Sequence, residues 1–237
     1  MENEKVINQW DNAAKNYSSN QRTAINNIAN WQILKELLGD INEKTILDAG
    51  CGDGFFANEL KSLGSKVYGC DGSKEILKIA KQDFKDIEFQ VQDLTKDFNY
   101  NSNMFDIIVS SLVLMDIDYL DKFFSESHRI LKENGRLVFS IVHPSFFQAD
   151  WEFDENHNKI FKKIYNYLDL KTLTLNIWGE TTHYHRPISW YSQTLKKAGF
   201  VIEEIKERPD NEEIFKIMKP HQKRVPLFLC FSCKKIN

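Results

Sequence analysis

The 237-residue chain reads as an α/β protein built on one open, mostly parallel sheet. Three observations point there. From Lys44 to Phe139 short apolar runs alternate with helical patterns, which implies strand–helix–strand crossovers. Within Ile46-Leu47-Asp48-Ala49-Gly50-Cys51-Gly52-Asp53-Gly54-Phe55-Phe56, three glycines directly follow the first apolar run. Glycines at alternate positions let the backbone turn sharply and let a ligand approach the main chain at the carboxyl end of a strand. Acids then close the next two runs, Lys66 to Asp71 and Ile87 to Asp93.

The remaining elements follow in order. Residues 5–38 predict two helices, the second with Ile25, Ile28, Trp31, Ile33, Leu34, Leu37 and Leu38 on a broad apolar face that stops at Gly39. Ser73 is placed to cap a crossover helix running to Gln82, with Ile76, Leu77 and Ile79 partly turned to the sheet. Phe105 to Ser111 predicts a fourth strand, Asp118 to Leu131 a helix, and the residues after Gly135 a fifth strand. The periodicity breaks after His143-Pro144. Residues 145–187 carry Phe146, Phe147, Trp151, Phe153, Phe161, Tyr165, Tyr167, Trp178 and Tyr184, and read as an insertion with both ends at the carboxyl edge of the sheet. Regularity returns with a helix from Ile188 to Ala198, closed by Gly199, and strands at Phe200–Lys206 and Val225–Lys234. The organisation expected is a single domain: N-terminal helices over 1–40, a core over 41–142, an insertion over 143–187, and a final helix and strand pair over 188–237.

Composition narrows the function classes. Hydrophobic content of 42% and charged content of 27% are ordinary for a globular protein with a sizeable core. A formal charge of −3 gives no global pull on nucleic acid. No stretch approaches the roughly 20 apolar residues of a membrane span, and the polar start Met1-Glu2-Asn3-Glu4-Lys5 has no signal-peptide core, so a cytoplasmic address is expected. Of the four cysteines, Cys230 and Cys233 form a Cys-x-x-Cys. On a strand, residues three apart point to opposite faces, which predicts two buried apolar side chains and no shared metal.

The glycine spacing Gly50-x-Gly52-x-Gly54 differs from the Gly-x-Gly-x-x-Gly of dinucleotide sites, since Phe55 stands where close helix packing wants the third glycine. With Asp48 before it, Asp71 about twenty residues on and Asp93 after the third run, the chain resembles the class I S-adenosylmethionine-dependent methyltransferases. The resemblance covers residues 10–142 well and the rest loosely. It implies a Rossmann-like three-layer sandwich with a seven-stranded sheet whose last strand is antiparallel and inserted between its neighbours. It implies S-adenosylmethionine as cofactor and S-adenosylhomocysteine as product. Asp48 then supports the amino-acid end of the cofactor or caps the loop; Asp53 suits the same cationic surroundings. Backbone amides after Gly52 meet a carboxylate. Gly50, Cys51 and Gly52 bind the cofactor at the turn, Asp71 accepts from the ribose hydroxyls, and Asp93, with Leu94 beside it, receives the exocyclic amine of the adenine. Gly72 departs from the family's usual apolar residue, so packing on the base is looser or comes from elsewhere.

On the acceptor side, Ser110 and Leu112 follow the fourth strand where the family lines the site. Asp116 either faces the acceptor or caps the next helix. Trp10 to Tyr17 resembles a lid segment, with Tyr17 over the cofactor. His143 and His185 are the candidate general bases, because only histidine titrates near neutral pH unperturbed. Trp178, Tyr184, Arg186 and Tyr191 are candidate acceptor contacts. His183 and His185 share one side of an extended segment, but without a third ligand no metal site is expected. These residues imply methyl transfer to a small molecule at oxygen or nitrogen. The alternatives are methyl transfer to RNA or a peptide, and a non-catalytic cofactor-binding regulator.

Overall fold

Apart from residues 1, 23, 222 and 237, the computed structural model describes the whole chain, Glu2 by its backbone alone. The apolar runs form strands β1 (Thr45–Ala49), β2 (Lys66–Asp71), β3 (Glu88–Val91), β4 (Phe105–Ser111) and β5 (Leu131–Val142), with β10 (Phe200–Lys206) and β11 (Phe228–Lys235) completing one sheet. The order is β3-β2-β1-β4-β5-β11-β10. β1 to β5 pair in parallel, and β11 lies antiparallel between β5 and β10, as the resemblance implies. The inserted strand matches its neighbour closely: Phe231 pairs with Phe139 and their rings stack at 4.7 Å.

Helices cover both faces because the central strands are apolar on both sides. α2 (Ile25–Leu38), α3 (Phe55–Ser62) and α4 (Lys74–Asp83) bury Leu34, Leu60 and Leu77 on one face. α5 (Leu120–Ile130) and α6 (Ile188–Lys197) bury Phe123, Phe124 and Leu195 on the other. Ser73 caps α4, its hydroxyl accepting from the amide of Ile76, as the sequence predicts. Cys230 packs in the first layer and Cys233 in the second, so the sheet itself separates the two thiols.

Two segments differ from expectation, and a third, the N-terminal helix, takes the place expected of it. The insertion is regular: β6 (Asp150–Phe153) pairs with β7 (Lys159–Lys163), and β8 (Lys171–Asn176) with β9 (Glu180–His185), as two antiparallel hairpins. A short helix α7 (Glu212–Ile217), capped by Asn211, precedes β11, which starts at Phe228 and not at Val225. The N-terminal helix α1 (Glu2–Gln21) packs against α4 and β9 and so bridges the core and the insertion. Among the described residues, no helix is long and apolar enough to cross a membrane.

Gly54 opens α3 at φ 79°, a left-handed conformation, and a Cβ there would lie 2.8 Å from Cζ of Phe89 and 3.1 Å from Cβ of Ala80. Both the backbone region and the crowding penalise a side chain. Gly54→Ala is expected to destabilise the fold by about 2–4 kcal/mol; urea unfolding within 0.5 kcal/mol of the parent would refute this account of the turn.

Candidate functional site

The site begins where β1 ends. Gly50 and Cys51 both donate their amides to the carbonyl of Cys70, at 2.7 and 2.9 Å, which binds the glycine turn to the end of β2. The next residue of β2 continues the clasp: Asp71 accepts from the amide of Gly52 at 3.0 Å through one oxygen and from Ser73 at 2.8 Å through the other. Gly50 and Gly52 sit at φ 80° and 53°, and Val113 occupies the room a Cβ on Gly50 would need. Leu112, beside Val113, is held at φ 57° by hydrogen bonds from its amide to the carbonyl and hydroxyl of Ser140. A left-handed leucine is strained, and such strain gathers at ligand sites.

Above this turn lies a cavity of about 370 Å³. Its floor is Gly50, Gly52, Asp71 and Gly72; α1 gives Ile7, Trp10 and Tyr17; β9 and the turn before it give Trp178, Thr181 and His183. Trp10, Tyr17 and Trp178 meet edge to face, with ring centres 5.5 and 5.8 Å apart. Ile7 lies over Gly72, its Cγ1 2.9 Å from where a Cβ would stand, so the apolar wall missing at position 72 comes from α1.

Carboxyls crowd this space, and among the described residues no Lys or Arg lines it. Asp48, 1% exposed beneath the turn, has an oxygen without a partner. Burial, then the charges of Asp71 and Asp53, pushes its pKa up to about 8. Burial also raises Asp71, against its amide hydrogen bonds, and raises Asp116 well above the carboxylate range. Tyr17 is raised by burial and by Asp53, Asp71, Asp48 and Asp116. A cationic ligand relieves all of these at once. A cavity of this size, with glycine edges, an acid at the end of β2 and an orphaned buried carboxylate oxygen, fits S-adenosylmethionine, which is cationic at its amine and sulfur.

α1 is strapped over the cavity by polar contacts at each end. Asn3 donates to Asp93 at 2.6 Å, and Asp11 accepts from the hydroxyl of Ser73 at 2.6 Å and the amide of Glu75 at 3.0 Å. On the insertion side, Gln9 donates to Glu180 and Asn16 to the carbonyl of Trp178. Asp53, which sequence reasoning placed near the ligand, accepts from Ser18, Gln21 and Arg22 and fastens the end of α1.

Several expected positions lie elsewhere. Asp93 is committed to Asn3, to Thr95 and to its own turn, Ser110 donates to the carbonyl of Ala49, and Cys51 serves through its amide; none of them lines the cavity, whereas Leu94 and Ser111 do. His143 is corrected from base to clip: Nε2 meets Glu207 at 2.7 Å, Nδ1 accepts from the amide of Ser145, and burial lowers its pKa against the pull of Glu207. His185 is directed to the carbonyl of Tyr167 and borders a separate cavity of about 230 Å³. Tyr191 is core, between Phe139 and Phe231, and Tyr184 lies outside the main cavity. Arg186 is buried and donates to the carbonyls of Leu114, Ile117 and Asp118. Of the expected acceptor-side residues, Trp178, Leu112 and Asp116 line the cavity, whereas Tyr184, Arg186 and Tyr191 do not.

Cavity-lining residues to which the sequence assigned no role of their own include Val113, Thr181 and, as a pair, Asp116 and His183. Asp116 ends a short 3₁₀ turn (Leu114–Asp116) after β4, and its Oδ1 lies 3.3 Å from Nδ1 of His183 on β9. The contact lacks hydrogen-bond alignment, so both atoms stay buried without a partner. Alternation along β9 was the available signal for His183, because it puts Thr181 and His183 on one side of the strand. Among the described residues, no group of three or more His, Cys, Asp or Glu is placed to hold a metal.

Asp53→Ala would leave the buried Gln21 amide without its acceptor, at a cost of about 1–3 kcal/mol. The expected outcome is faster hydrogen exchange over α1 with β1 and β4 still protected; unchanged exchange in α1 would mean that other contacts hold the helix.

Comparison with known proteins agrees with this geometry. The family model described as a methyltransferase domain matches residues 47–139, from β1 to β5. The solved structure of a Listeria monocytogenes protein, assigned as an S-adenosylmethionine-dependent methyltransferase, is 30% identical, with a TM-score of 0.75 over 88% of this chain and 97% of that one. Malonyl-acyl-carrier-protein O-methyltransferase of Buchnera aphidicola is 30% identical over 178 residues, 74% of this chain and 67% of that protein. The mitochondrial ubiquinone biosynthesis O-methyltransferase of Rattus norvegicus is 35% identical over 104 residues, and the matched stretch spans only 30% of that relative. Seven strands in this order, a glycine turn clasped by an acid-tipped second strand, and these likenesses lead to one statement: the chain belongs to the class I S-adenosylmethionine-dependent methyltransferases, enzymes that take S-adenosylmethionine as cofactor.

Proposed function

We propose that the protein methylates a small-molecule acceptor, at oxygen or nitrogen, inside the cavity beneath α1. The observation that carries this reading is the setting of the cavity: the glycine turn, α1 and β9 bound it together, so an acceptor has to be compact enough to enter it beside the cofactor. A polymer would need an open, basic track; here the walls are aromatic and acidic. The Buchnera and rat relatives are both named O-methyltransferases, which supports oxygen as the accepting atom. Without a lining Lys or Arg, an acceptor that is neutral suits this cavity better than a carboxylate, which would enter beside Asp71 and Asp116.

When bound, the cofactor supplies an electrophilic methyl group. The chain's own residues hold and align. Gly50 and Gly52 offer backbone, Asp71 keeps lone pairs for ribose hydroxyls, Asp48 supplies negative charge from below, and Tyr17, Gly72 and Leu94 wall the ligand. Cys51, Asp93 and Ser110 act by keeping the turns in place. Alignment of acceptor and methyl, with exclusion of water by α1, is what these residues contribute to such a displacement.

The class of acceptor is tested by incubating the protein with labelled-methyl cofactor and fractionated cell extract. Label is expected in small metabolites; label in RNA or protein alone would overturn the reading. Calorimetry is expected to show tighter binding of S-adenosylmethionine and S-adenosylhomocysteine than of NAD, and Asp71→Ala is expected to weaken the first two by about 1–3 kcal/mol.

The raised pKa of Asp48 fixes the sign of a pH effect. Below about 8 the free protein holds this carboxyl protonated, and a ligand cation favours its ionised form. Binding therefore releases a proton, and affinity rises with pH by up to about tenfold per unit from 6 to 7 for that one group. Asp48→Asn should reduce the slope by one proton, and an unaltered slope would place the ligand's cation away from Asp48.

A further inference from the structure

We propose that Asp116 and His183 form a base for the acceptor's proton, which the positive charge of the bound cofactor switches on. The inference rests on the small-acceptor reading above and assigns to it an acceptor class: a neutral molecule whose nucleophile is a hydroxyl that must give up its proton.

The geometry begins with an oddity of burial. Asp116 and His183 are 6% and 8% exposed, both line the cavity, and they face each other at 3.3 Å without a hydrogen bond. Two polar atoms at this depth without partners are expensive in a finished core. The fold nevertheless holds them firmly. Arg186, three residues beyond His183, donates to the carbonyls of Leu114, Ile117 and Asp118, so one strand both carries the imidazole and grips the turn that carries the carboxyl. Phe147 stacks on the His183 ring, with centres 6.3 Å apart and planes at 17°. Arg186 is thus the positioning residue of the pair.

The protonation state without ligand is the inactive one. Burial pushes the Asp116 carboxyl toward its protonated form, with Asp71 adding to the effect and Trp10 and Arg186 opposing it. Burial likewise keeps His183 neutral, its pKa lowered to about 4. The other titratable groups facing the pair are Tyr17 on α1 and Tyr191 on α6, both raised by burial and in part by Asp116, so neither supplies a compensating charge. A carboxyl in this state would hand His183 a proton to share and leave it a poor acceptor. A cation entering a cavity lined by no Lys or Arg changes the balance: Asp116 ionises and releases its proton. The neutral imidazole then turns Nδ1–H toward the carboxylate and leaves Nε2 to accept.

The proton step is then simple. The O–H bond of the acceptor breaks, its electron pair stays on oxygen, and an N–H bond forms at Nε2 of His183. The imidazolium faces the Asp116 carboxylate, and the proton later passes to water. The switch has a use: the nucleophile is activated only when the methyl donor is present, and the neutral product no longer supports the ionised pair.

The test needs no knowledge of the acceptor. S-adenosylmethionine and S-adenosylhomocysteine share the ammonium that ionises Asp48 and differ in charge at sulfur. Calorimetry of each ligand at pH 7 in buffers of different ionisation enthalpy counts the protons released. The expected result is a larger release for S-adenosylmethionine, by up to one proton, and loss of that difference in Asp116→Asn. Infrared difference spectra of the unmodified protein read the same loss of a protonated carboxyl, so the test stands even where the variant fails to fold. Equal release for the two ligands, or a difference that survives Asp116→Asn, overturns the proposal while leaving the small-acceptor reading intact. With the acceptor fraction in hand, His183→Gln should lower kcat by about 10²–10⁴-fold with cofactor Kd unchanged; a kcat within threefold of the parent would remove His183 from the chemistry.

Discussion

The carbonyl of Cys70 accepts two amides of the glycine turn, and the site depends on that clasp. It joins the ends of β1 and β2, and Asp71, the next residue, extends it with two more amides. Because both anchors are backbone groups of a central strand, the turn inherits the rigidity of the sheet. The floor of the cavity is therefore fixed before any element above it is in place.

What lies above is assembled from distant parts of the chain. α1 arrives from the N-terminus, Asp116 from the turn after β4, and Trp178 and His183 from the β8–β9 hairpin. None of these elements covers the floor alone, and the contacts among them are polar at their rims and aromatic at their centre. The electrostatics is lopsided by design of the sequence: buried carboxyls without lining cations. Groups so placed cost stability in the free protein and regain it when an opposite charge enters, which couples folding of the upper half of the site to its ligand.

The legible part of the sequence was the part governed by backbone rules. Glycines with positive φ, the Ser73 cap and an acid at the end of β2 are local requirements, and the strand order followed from the resemblance they carry. The insertion was harder. Thr172-Leu173-Thr174-Leu175 alternates as a strand should, and the exposure of β8 follows it, yet the density of aromatics around it masks the period. His143, Arg186 and Tyr191 show the other limit. Their residue types suit a site, but whether a side chain faces a ligand or a carbonyl depends on neighbours far along the chain: Glu207 for His143, the Leu114–Asp118 carbonyls for Arg186, Phe231 for Tyr191. Asp116 and His183, 67 positions apart by their numbers, become a pair only through the fold.

Ile7 over Gly72 has a kinetic meaning. One wall of the nucleoside end is a side chain of α1 and not of the sheet, so the pocket is complete only while that helix is seated. Were ligand exchange to require that helix to rise, its pace would be set by the breaking of the Asn3, Asp11 and Asp53 contacts more than by anything the ligand itself touches. Substitutions on the outer rim of α1 would then alter residence time on both legs of the equilibrium, leaving the dissociation constant nearly still.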